Sequence, residues 1–406
     1  MGARRRARFR PRRQALDVAA ALAAIISTAA AAIPPQPILS RGVPAYASAG
    51  TASHGNNAHY GHGGDWCADC AWDARVPAAW LAYDLSGVPA NRRSRILAVW
   101  YNGSGRYDYT IVKAPTYSMP GPYVLEGNTA PGGGHGAPAA GWVTLVSGDS
   151  PQIYHSRQHV MDFAGYNWLR FRTLAENPFN AGGNPGTAIK FDVYDASQGI
   201  SDDWIIFGDS ITEGAFSHND VGALIHARLP QYNPIWEGGG VGFQKASDGA
   251  SRLLDKWLPL FPGKYVCLAY GTNDANLGRA LDQREIAAFR DNYRTMVEKV
   301  LALRKTPVVP TVIWSRNPQV ASNLALLNAQ LAALKTARPQ ILSGPDLYDK
   351  FQGHPEWYQD DLHPNPAGQD VLRSTWAQWA IGTVYAGAAA AQPAAAQRIP
   401  DRPGGK

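Results

Sequence analysis

Three residues in this 406-residue chain, a serine, an asparagine and a histidine, could together carry out acyl transfer. Ser210 ends the stretch "WIIFGDS", Asn273 lies in "CLAYGTND", and His363 lies in "DDLHPN". A serine hydroxyl attacks an ester only when a base removes its proton, and an imidazole can be that base. The three residue types therefore predict a nucleophilic hydrolase site, provided that the fold brings them together.

A carboxylate near the histidine would complete the base. Asp360 precedes His363 by three residues, so a turn would bring its carboxylate to the second ring nitrogen. There it would hold the tautomer and stabilise the imidazolium. Asp361 and, more remotely, Asp346 are alternative partners.

Hydrogen-bond donors must also face the oxyanion of the tetrahedral intermediate. The candidates are the backbone N–H of Ser210 at a helix N-terminus, a glycine N–H in the loop "EGGGVG", and the side-chain amide of Asn273. Each motif alone is commonplace, because Gly-Asp-Ser and Gly-Thr-Asn-Asp both form ordinary turns. Whether these motifs form a catalytic site depends on the strands and helices that position them.

From Trp204 onward, apolar runs alternate with amphipathic segments, which predicts an α/β domain with a parallel sheet between two helical layers. The carboxyl ends of parallel strands meet at one rim of the sheet. The predicted strands are "WIIFG", "NPIWEGGG", "KYVCLAYG", "PVVPTVIW" and Gln340–Leu342, and the clearest helices are Glu285–Leu303, capped by Asp282, and Asn323–Lys335. This arrangement places the serine, the glycine-rich loop and the asparagine at that rim.

The preceding region, residues 66–200, predicts a different fold. Short β-branched and aromatic stretches alternate with turns rich in glycine and proline, and no helix is evident. In "AIKFDVYD", Ile189, Phe191 and Val193 share one face of a strand. We expect a β-sandwich or jelly roll here, followed by the α/β domain over 201–385.

The two ends of the chain predict targeting and linker segments. Residues 1–47 contain an arginine-rich start and an alanine-rich apolar run, the pattern of an export signal leading into a linker. Cleavage could fall within Ala29–Ala32 or after Ala47, and an uncleaved anchor that tethers the protein to a membrane is the alternative. Residues 48–65 are predicted to continue the linker, and 386–406 to be a disordered tail.

The overall basic charge comes from the start of the chain. The formal net charge is +6, but residues 1–32 contain seven arginines and one aspartate, so the remainder has no net charge. A nucleic-acid partner therefore has no electrostatic support. We predict a protein of the cell envelope or the extracellular space.

The cysteines fit such a compartment. Cys67 and Cys70 in "WCADCAW" predict a local disulfide, with a metal site that includes nearby histidines as the lesser alternative. Cys267, in an apolar run, predicts a buried free thiol. The predicted mechanism requires no metal and no cofactor.

Four blocks occur in order within residues 203–385: "GDSIT", the glycine-rich loop, "GTND" and "DDLHPN". They resemble the SGNH hydrolases, also called GDSL esterases and lipases, whose catalytic domain is a flavodoxin-like three-layer α/β/α fold. The resemblance implies Ser210 as nucleophile, Asp360 and His363 as acid and base, and Asn273 as an oxyanion donor.

The second block departs from the family pattern, which usually reads N-x-G/S-x-x-G. In that register Glu237 replaces the asparagine and Gly242 is the donor. Because Gly238–Gly240 is a run of glycines, other registers within 238–242 stay open.

The front domain resembles, more loosely, the galactose-binding-like jelly rolls that precede SGNH domains in some acetylxylan esterases. This order of domains implies an exported serine esterase that removes acetyl groups from polysaccharide. The alternatives are a lipase, lysophospholipase or thioesterase using the same site, an acyltransferase, and a non-catalytic glycan-binding protein of the cell wall.

Overall fold

The computed structural model describes residues 33–59, 69–102, 118–134, 136–148, 156–178, 180, 186–216 and 218–386. Within these residues the strands form three sheets, two antiparallel and one parallel. None of the helices described is long and apolar enough to cross a membrane.

The first nine strands form the two antiparallel sheets. One sheet has the strand order β1-β3-β8-β5-β6 and the other has the order β2-β9-β4-β7. The strands are β1 Ala45–Ala47, β2 Trp72–Asp73, β3 Trp80–Asp84, β4 Arg95–Tyr101, β5 Tyr123–Asn128, β6 Val143–Gly148, β7 Ser156–Asp162, β8 Trp168–Thr173 and β9 Ala188–Asp195.

The two antiparallel sheets pack face to face and form the predicted β-sandwich. Ile189, Phe191 and Val193 of β9 point into the shared core, as their alternation predicts. Phe171 of β8 contacts Phe191 across the core at a ring distance of 5.5 Å. Apolar area removed from water in this way is the main stabilising contribution to such a domain.

The predicted linker is wrong for the described residues 33–59. Ala45–Ala47 is strand β1 and pairs with β3, and the Leu39 amide donates to the carbonyl of Val193 at 2.6 Å. This segment covers the outer face of β9, where Arg41 pairs with Asp192 at 2.9 Å. Its glycines and prolines resemble a linker in composition, but its polar groups bond to the sandwich.

The parallel sheet lies in the second half of the chain and has the order β11-β10-β12-β13-β14. Its strands are β10 Asp203–Gly208, β11 Ile235–Gly240, β12 Tyr265–Ala269, β13 Thr306–Val309 and β14 Leu342–Ser343. Alternate residues of β10 pack into two different clusters, Ile205 and Phe207 into one and Trp204 and Ile206 into the other. Both faces of the sheet are therefore covered, which explains the continuous apolar runs.

Helices cover the two faces. They are α1 Ser210–Ala215, α2 Asp220–Arg228, α3 Ala246–Asp248, α4 Leu254–Trp257, α5 Thr272–Ala275, α6 Gln283–Ala302, α7 Pro318–Ala337, α8 Leu347–Phe351 and α9 Pro366–Thr383, and a single π-helical segment, Gly249–Leu253, joins α3 to α4. Asp282 and Glu285 form a capping box at the start of α6, as the sequence predicts.

The two domains contact each other at β11. Ile235 packs with Leu97 and Val99 on the outer face of β4. Beside them, the Gln158 side-chain amide donates to Asp203 Oδ1 at 2.8 Å and to Glu237 Oε2 at 2.9 Å. Burial raises the pKa of Asp203 well above its usual value, although the bond from Gln158 opposes that rise. The interface therefore combines an apolar patch with shared polar contacts.

Several sequence predictions fall on residues outside the described part. The export signal within 1–32, Cys67, and the tail beyond residue 386 belong to this group. Cys70 is disulfide-bonded and Cys267 is free and buried. Burial raises the pKa of the Cys267 thiol well above its usual value, so this thiol stays protonated.

Candidate active site

Ser210 lies where strand β10 ends and helix α1 begins. As the first residue of α1, it has a backbone N–H among those that find no partner within the helix. Asp209 caps the same helix, and its Oδ1 accepts from the Ile211 amide at 3.0 Å. The strand therefore fixes the serine at the rim of the sheet, with a helix N-terminus beside it.

His363 contacts this serine from a separate loop. Its Nε2 is 2.9 Å from Ser210 Oγ, and its Nδ1 is 2.9 Å from Asp360 Oδ2. The second carboxylate oxygen of Asp360 accepts from the Leu362 and His363 amides, each at 2.7 Å. The structure thus joins the serine, histidine and aspartate in one hydrogen-bonded chain.

The carboxylate of Asp360 is held in its charged form. Partial burial raises its pKa, but the amides of His363 and Leu362 and the imidazole of His363 outweigh this effect and lower it. A charged carboxylate on Nδ1 leaves Nε2 as the nitrogen that can take a proton from Ser210.

The loop that carries the aspartate and histidine is anchored by residues after β13. The carbonyl of Asp361 accepts from the Ser315 hydroxyl at 2.8 Å and from the Arg316 amide at 3.0 Å. Asp346, the remoter candidate, caps helix α8, where its Oδ1 accepts from the Asp349 amide at 3.1 Å. Of the three candidate aspartates, Asp360 is the one whose carboxylate contacts His363.

The glycine-rich loop after β11 passes directly beside helix α1. A Cβ built on Gly240 would lie 2.1 Å from the Glu213 nitrogen, so only glycine fits there. A Cβ on Gly242 would lie 3.9 Å from Ser210 Cβ, which places this residue next to the serine as predicted. However, the Gly242 amide donates its single hydrogen to Glu213 Oε2 at 2.9 Å.

Glu213 is therefore a site residue that the sequence analysis missed. It is buried and follows Ser210 by three residues, one turn along α1. Its carboxylate fixes the Gly242 amide and with it the loop. The signal in the sequence was the interval of three residues between Ser210 and Glu213 on a short helix, but nothing in the sequence identified the loop as the partner of Glu213.

Asn273 lies on the other side of the glycine-rich loop, in helix α5 after β12. Its Nδ2 donates to the Gln244 carbonyl at 3.0 Å. The amide carries a second hydrogen that remains available for another acceptor. The Gln244 side chain in turn donates to the Gly242 carbonyl at 3.1 Å. Asn273 therefore both holds this loop and can act as a donor.

Glu237, which stands where the family pattern has asparagine, does not face the site. Its carboxylate accepts from Gln158 of the sandwich at 2.9 Å, on the side of the sheet that contacts the front domain. In that register, Glu237 therefore makes a contact between the domains, and Gly242 lies near Ser210.

Two carboxyl groups, Asp209 buried and Asp274 half-buried, support the site from behind. Asp209 caps α1, and Asp274 Oδ2 accepts from the Ala246 amide at 3.0 Å. Burial raises the pKa of each to about 6, although hydrogen bonds to backbone amides oppose the rise. These side chains hold loops together and do not contact Ser210 Oγ in the hydrogen-bonded chain described above.

Comparison with known proteins finds a family model that matches this part of the chain. Residues 206–371 match the model of the GDSL-like lipase/acylhydrolase family. No curated protein sequence matches the chain. Among solved structures, 86 chains match.

Three of these structures illustrate the similarity. A lipase/acylhydrolase from Enterococcus faecalis is 23% identical, covers 44% of this chain and 95% of its own, and has a TM-score of 0.37. Axe2, an acetylxylan esterase from Geobacillus stearothermophilus, is 16% identical over 44% of this chain and 93% of its own, with a TM-score of 0.38. LAE5, an α/β hydrolase from the metagenome of Lake Arreo in Spain, is 18% identical over 47% and 95%, with a TM-score of 0.37.

Proposed function

We propose that this chain removes acetyl groups from polysaccharide outside the cytoplasm. Its residues 206–371 match the GDSL-like lipase/acylhydrolase family, which supports a carboxylic ester hydrolase. The observation that carries the serine chemistry is the hydrogen-bonded chain from Ser210 Oγ through His363 to Asp360, with both contacts to the imidazole at 2.9 Å.

The first half of the proposed reaction forms an acyl-enzyme. Ser210 Oγ attacks the ester carbonyl while His363 Nε2 takes the hydroxyl proton. Asp360 stabilises the imidazolium through Nδ1. The tetrahedral intermediate then collapses, the bond to the alcohol oxygen breaks, and His363 returns the proton to that oxygen. The alcohol leaves and the acetyl group remains on Ser210.

The second half releases the acid. Water attacks the acyl carbonyl while His363 takes one of its protons, and collapse returns that proton to Ser210 Oγ as acetate leaves. The Ser210 backbone N–H and the second hydrogen of the Asn273 amide are the proposed oxyanion donors. Gly242 becomes a third donor only when its bond to Glu213 opens.

Two features support an exported protein. The chain begins with an arginine-rich segment and an apolar run typical of export signals. Cys70 is disulfide-bonded, and disulfides persist mainly in oxidising compartments. The packing of residues 33–59 on the sandwich favours cleavage within Ala29–Ala32, because a cut after Ala47 would remove strand β1.

The substrate class rests on domain order. A β-sandwich before the hydrolase domain, and the absence of net charge after residue 32, fit a neutral polymeric substrate such as acetylated polysaccharide.

The test is acetate release from acetylated xylan by the wild type and by Ser210→Ala. Release by the wild type alone supports both the serine mechanism and the substrate class. Full release by Ser210→Ala would overturn the serine mechanism. A wild type that cleaves long-chain esters but releases no acetate from any acetylated polysaccharide would overturn the substrate class and favour a lipase.

A further inference from the structure

Phe243 combines two unfavourable features beside the nucleophile. Its side chain is 81% exposed, the highest value among the large exposed apolar side chains described. Its φ is +65°, in the left-handed region where a bulky residue is an outlier. A phenyl ring in water and a strained backbone both destabilise the fold, and strain of this kind is found preferentially at functional sites.

The exposure of Phe243 does not come from a loosely attached loop. On one side, the Val241 amide donates to the Gly208 carbonyl at 3.0 Å, which ties the loop to the end of β10. On the other side, Gln244 is buried and its carbonyl accepts from Asn273 at 3.0 Å. The backbone on both sides of Phe243 is thus held by elements of the site, so the side chain projects from a fixed position at its rim.

The residue that precedes Phe243 lies next to Ser210. Gly242, the preceding residue, would bring a Cβ to 3.9 Å from Ser210 Cβ. An acetyl group adds only two carbon atoms to Ser210, whereas the alcohol of the ester leaves toward solvent. Because Phe243 is exposed to solvent, the alcohol is the part of the substrate expected at its ring.

We infer that the ring of Phe243 is a platform for the sugar ring that carries the ester. This inference rests on the proposed function and adds a specificity residue to it. The flat face of a phenyl ring accepts the apolar C–H face of a pyranose while the sugar hydroxyls stay in water, which suits the exposed ring of Phe243.

The test compares two acetyl esters that differ only in their alcohol, acetylated xylo-oligosaccharides and ethyl acetate. Phe243→Gly removes the ring and accommodates the positive φ without strain. We expect its kcat/KM for the oligosaccharides to fall about tenfold relative to its kcat/KM for ethyl acetate. Phe243→Tyr keeps the ring and should restore the wild-type ratio.

Arg304→Gly is the matched control, because Arg304 is also exposed and has a φ of +56° but follows α6 at the opposite end of the sheet. It should leave the ratio of the two kcat/KM values unchanged. Both glycine variants should have a Tm equal to or above that of the wild type, since each relieves a strained backbone.

The outcomes separate this inference from the proposed function. A wild type that releases no acetate from the oligosaccharides overturns both. A wild type that does so, with an unchanged ratio in Phe243→Gly, overturns the platform alone. An equal loss on both esters also overturns it, because the residue would then serve the geometry of the loop and not the alcohol.

Discussion

The two halves of the proposed active site differ in the hydrogen bonds that they already make. On the base side, Ser210, His363 and Asp360 already form the contacts that proton transfer requires. On the oxyanion side, Gly242 and Asn273 donate to other protein groups, Glu213 and Gln244. The base is assembled by a local turn within a few residues, whereas the donors are positioned by a loop that depends on distant parts of the chain. The comparison predicts that substitutions of the base will affect turnover more than substitutions of the loop.

The largest effect is expected for the nucleophile that both halves serve. Ser210→Ala should lower kcat by about 10⁴-fold or more, because no acyl-enzyme can form. Acetate release at saturating substrate measures this change. Ser251→Ala, an exposed serine bonded within its own helical segment, is the control and should retain wild-type activity.

The base side is tested by a pair of neighbouring aspartates. Asp360→Asn should lower kcat by about 10²–10⁴-fold, because an amide can stabilise the wrong tautomer of His363 and cannot stabilise the imidazolium. Asp361→Asn should change kcat less than threefold, since Asp361 contributes its backbone carbonyl to the loop. Equal losses in the two variants would contradict the assignment of Asp360.

The oxyanion side is tested at Asn273. Asn273→Asp should lower kcat by about 10²–10³-fold, because a carboxylate has no hydrogen to donate and repels the oxyanion. KM should change little if the bond forms mainly in the transition state. Asn276→Ala, on an exposed residue at the end of α5, is the control. A loss that appears only in KM would count against a donor role.

The hydrogen bond that fixes the glycine-rich loop, from the Gly242 amide to Glu213, is tested by substituting Glu213. Glu213→Gln keeps an oxygen that can accept from the Gly242 amide, so we expect kcat/KM to stay within about threefold of the wild type. Glu213→Ala removes the acceptor, and the lost hydrogen bond to a charged group should destabilise the fold by about 1.5–3 kcal/mol. Urea unfolding and kcat/KM measure the two effects. An Ala variant as stable and active as the Gln variant would show that the bond does not hold the loop.

The smallest effect is expected from the buried carboxyl group behind both halves. The pKa of Asp209 is raised by burial to about 6, from an unfolded value of 3.8, so the folded protein binds more protons between these values. Folding stability from this group is therefore complete below about pH 4, falls as the pH rises toward 6, and is constant above that. Asp209→Asn removes this dependence while keeping an acceptor for the Ile211 amide. The Tm of the wild type relative to the variant should thus decrease by a few degrees between pH 4 and pH 7.

The contact between Asp360 and His363 could be predicted to the residue because its geometry is local. The interval from Asp360 to His363 is one turn, and a turn of that length brings a carboxylate back to the imidazole. The ends of β10 and β12 could also be predicted from the sequence, because continuous apolar runs marked the strands and polar residues followed them. These signals need no knowledge of distant contacts.

The glycine-rich loop could not be predicted in the same way. Three adjacent glycines allow several registers, and the partner of Gly242 is a glutamate on another element. The segment 33–59 was misjudged for a related reason. Its composition is that of a linker, but its backbone pairs with β3 and β9, and pairing between distant segments is not visible in composition.

The contact of Gln158 with Asp203 and Glu237 bears on how the two domains evolve. A hydrolase domain transplanted alone would leave Ile235 without its partners on β4 and would deprive Asp203 and Glu237 of the Gln158 amide. Recombination could therefore not replace the front domain with an unrelated domain without losing these contacts. Any replacement would have to supply an apolar patch and an amide at matching positions, so the two domains are expected to be inherited as one unit.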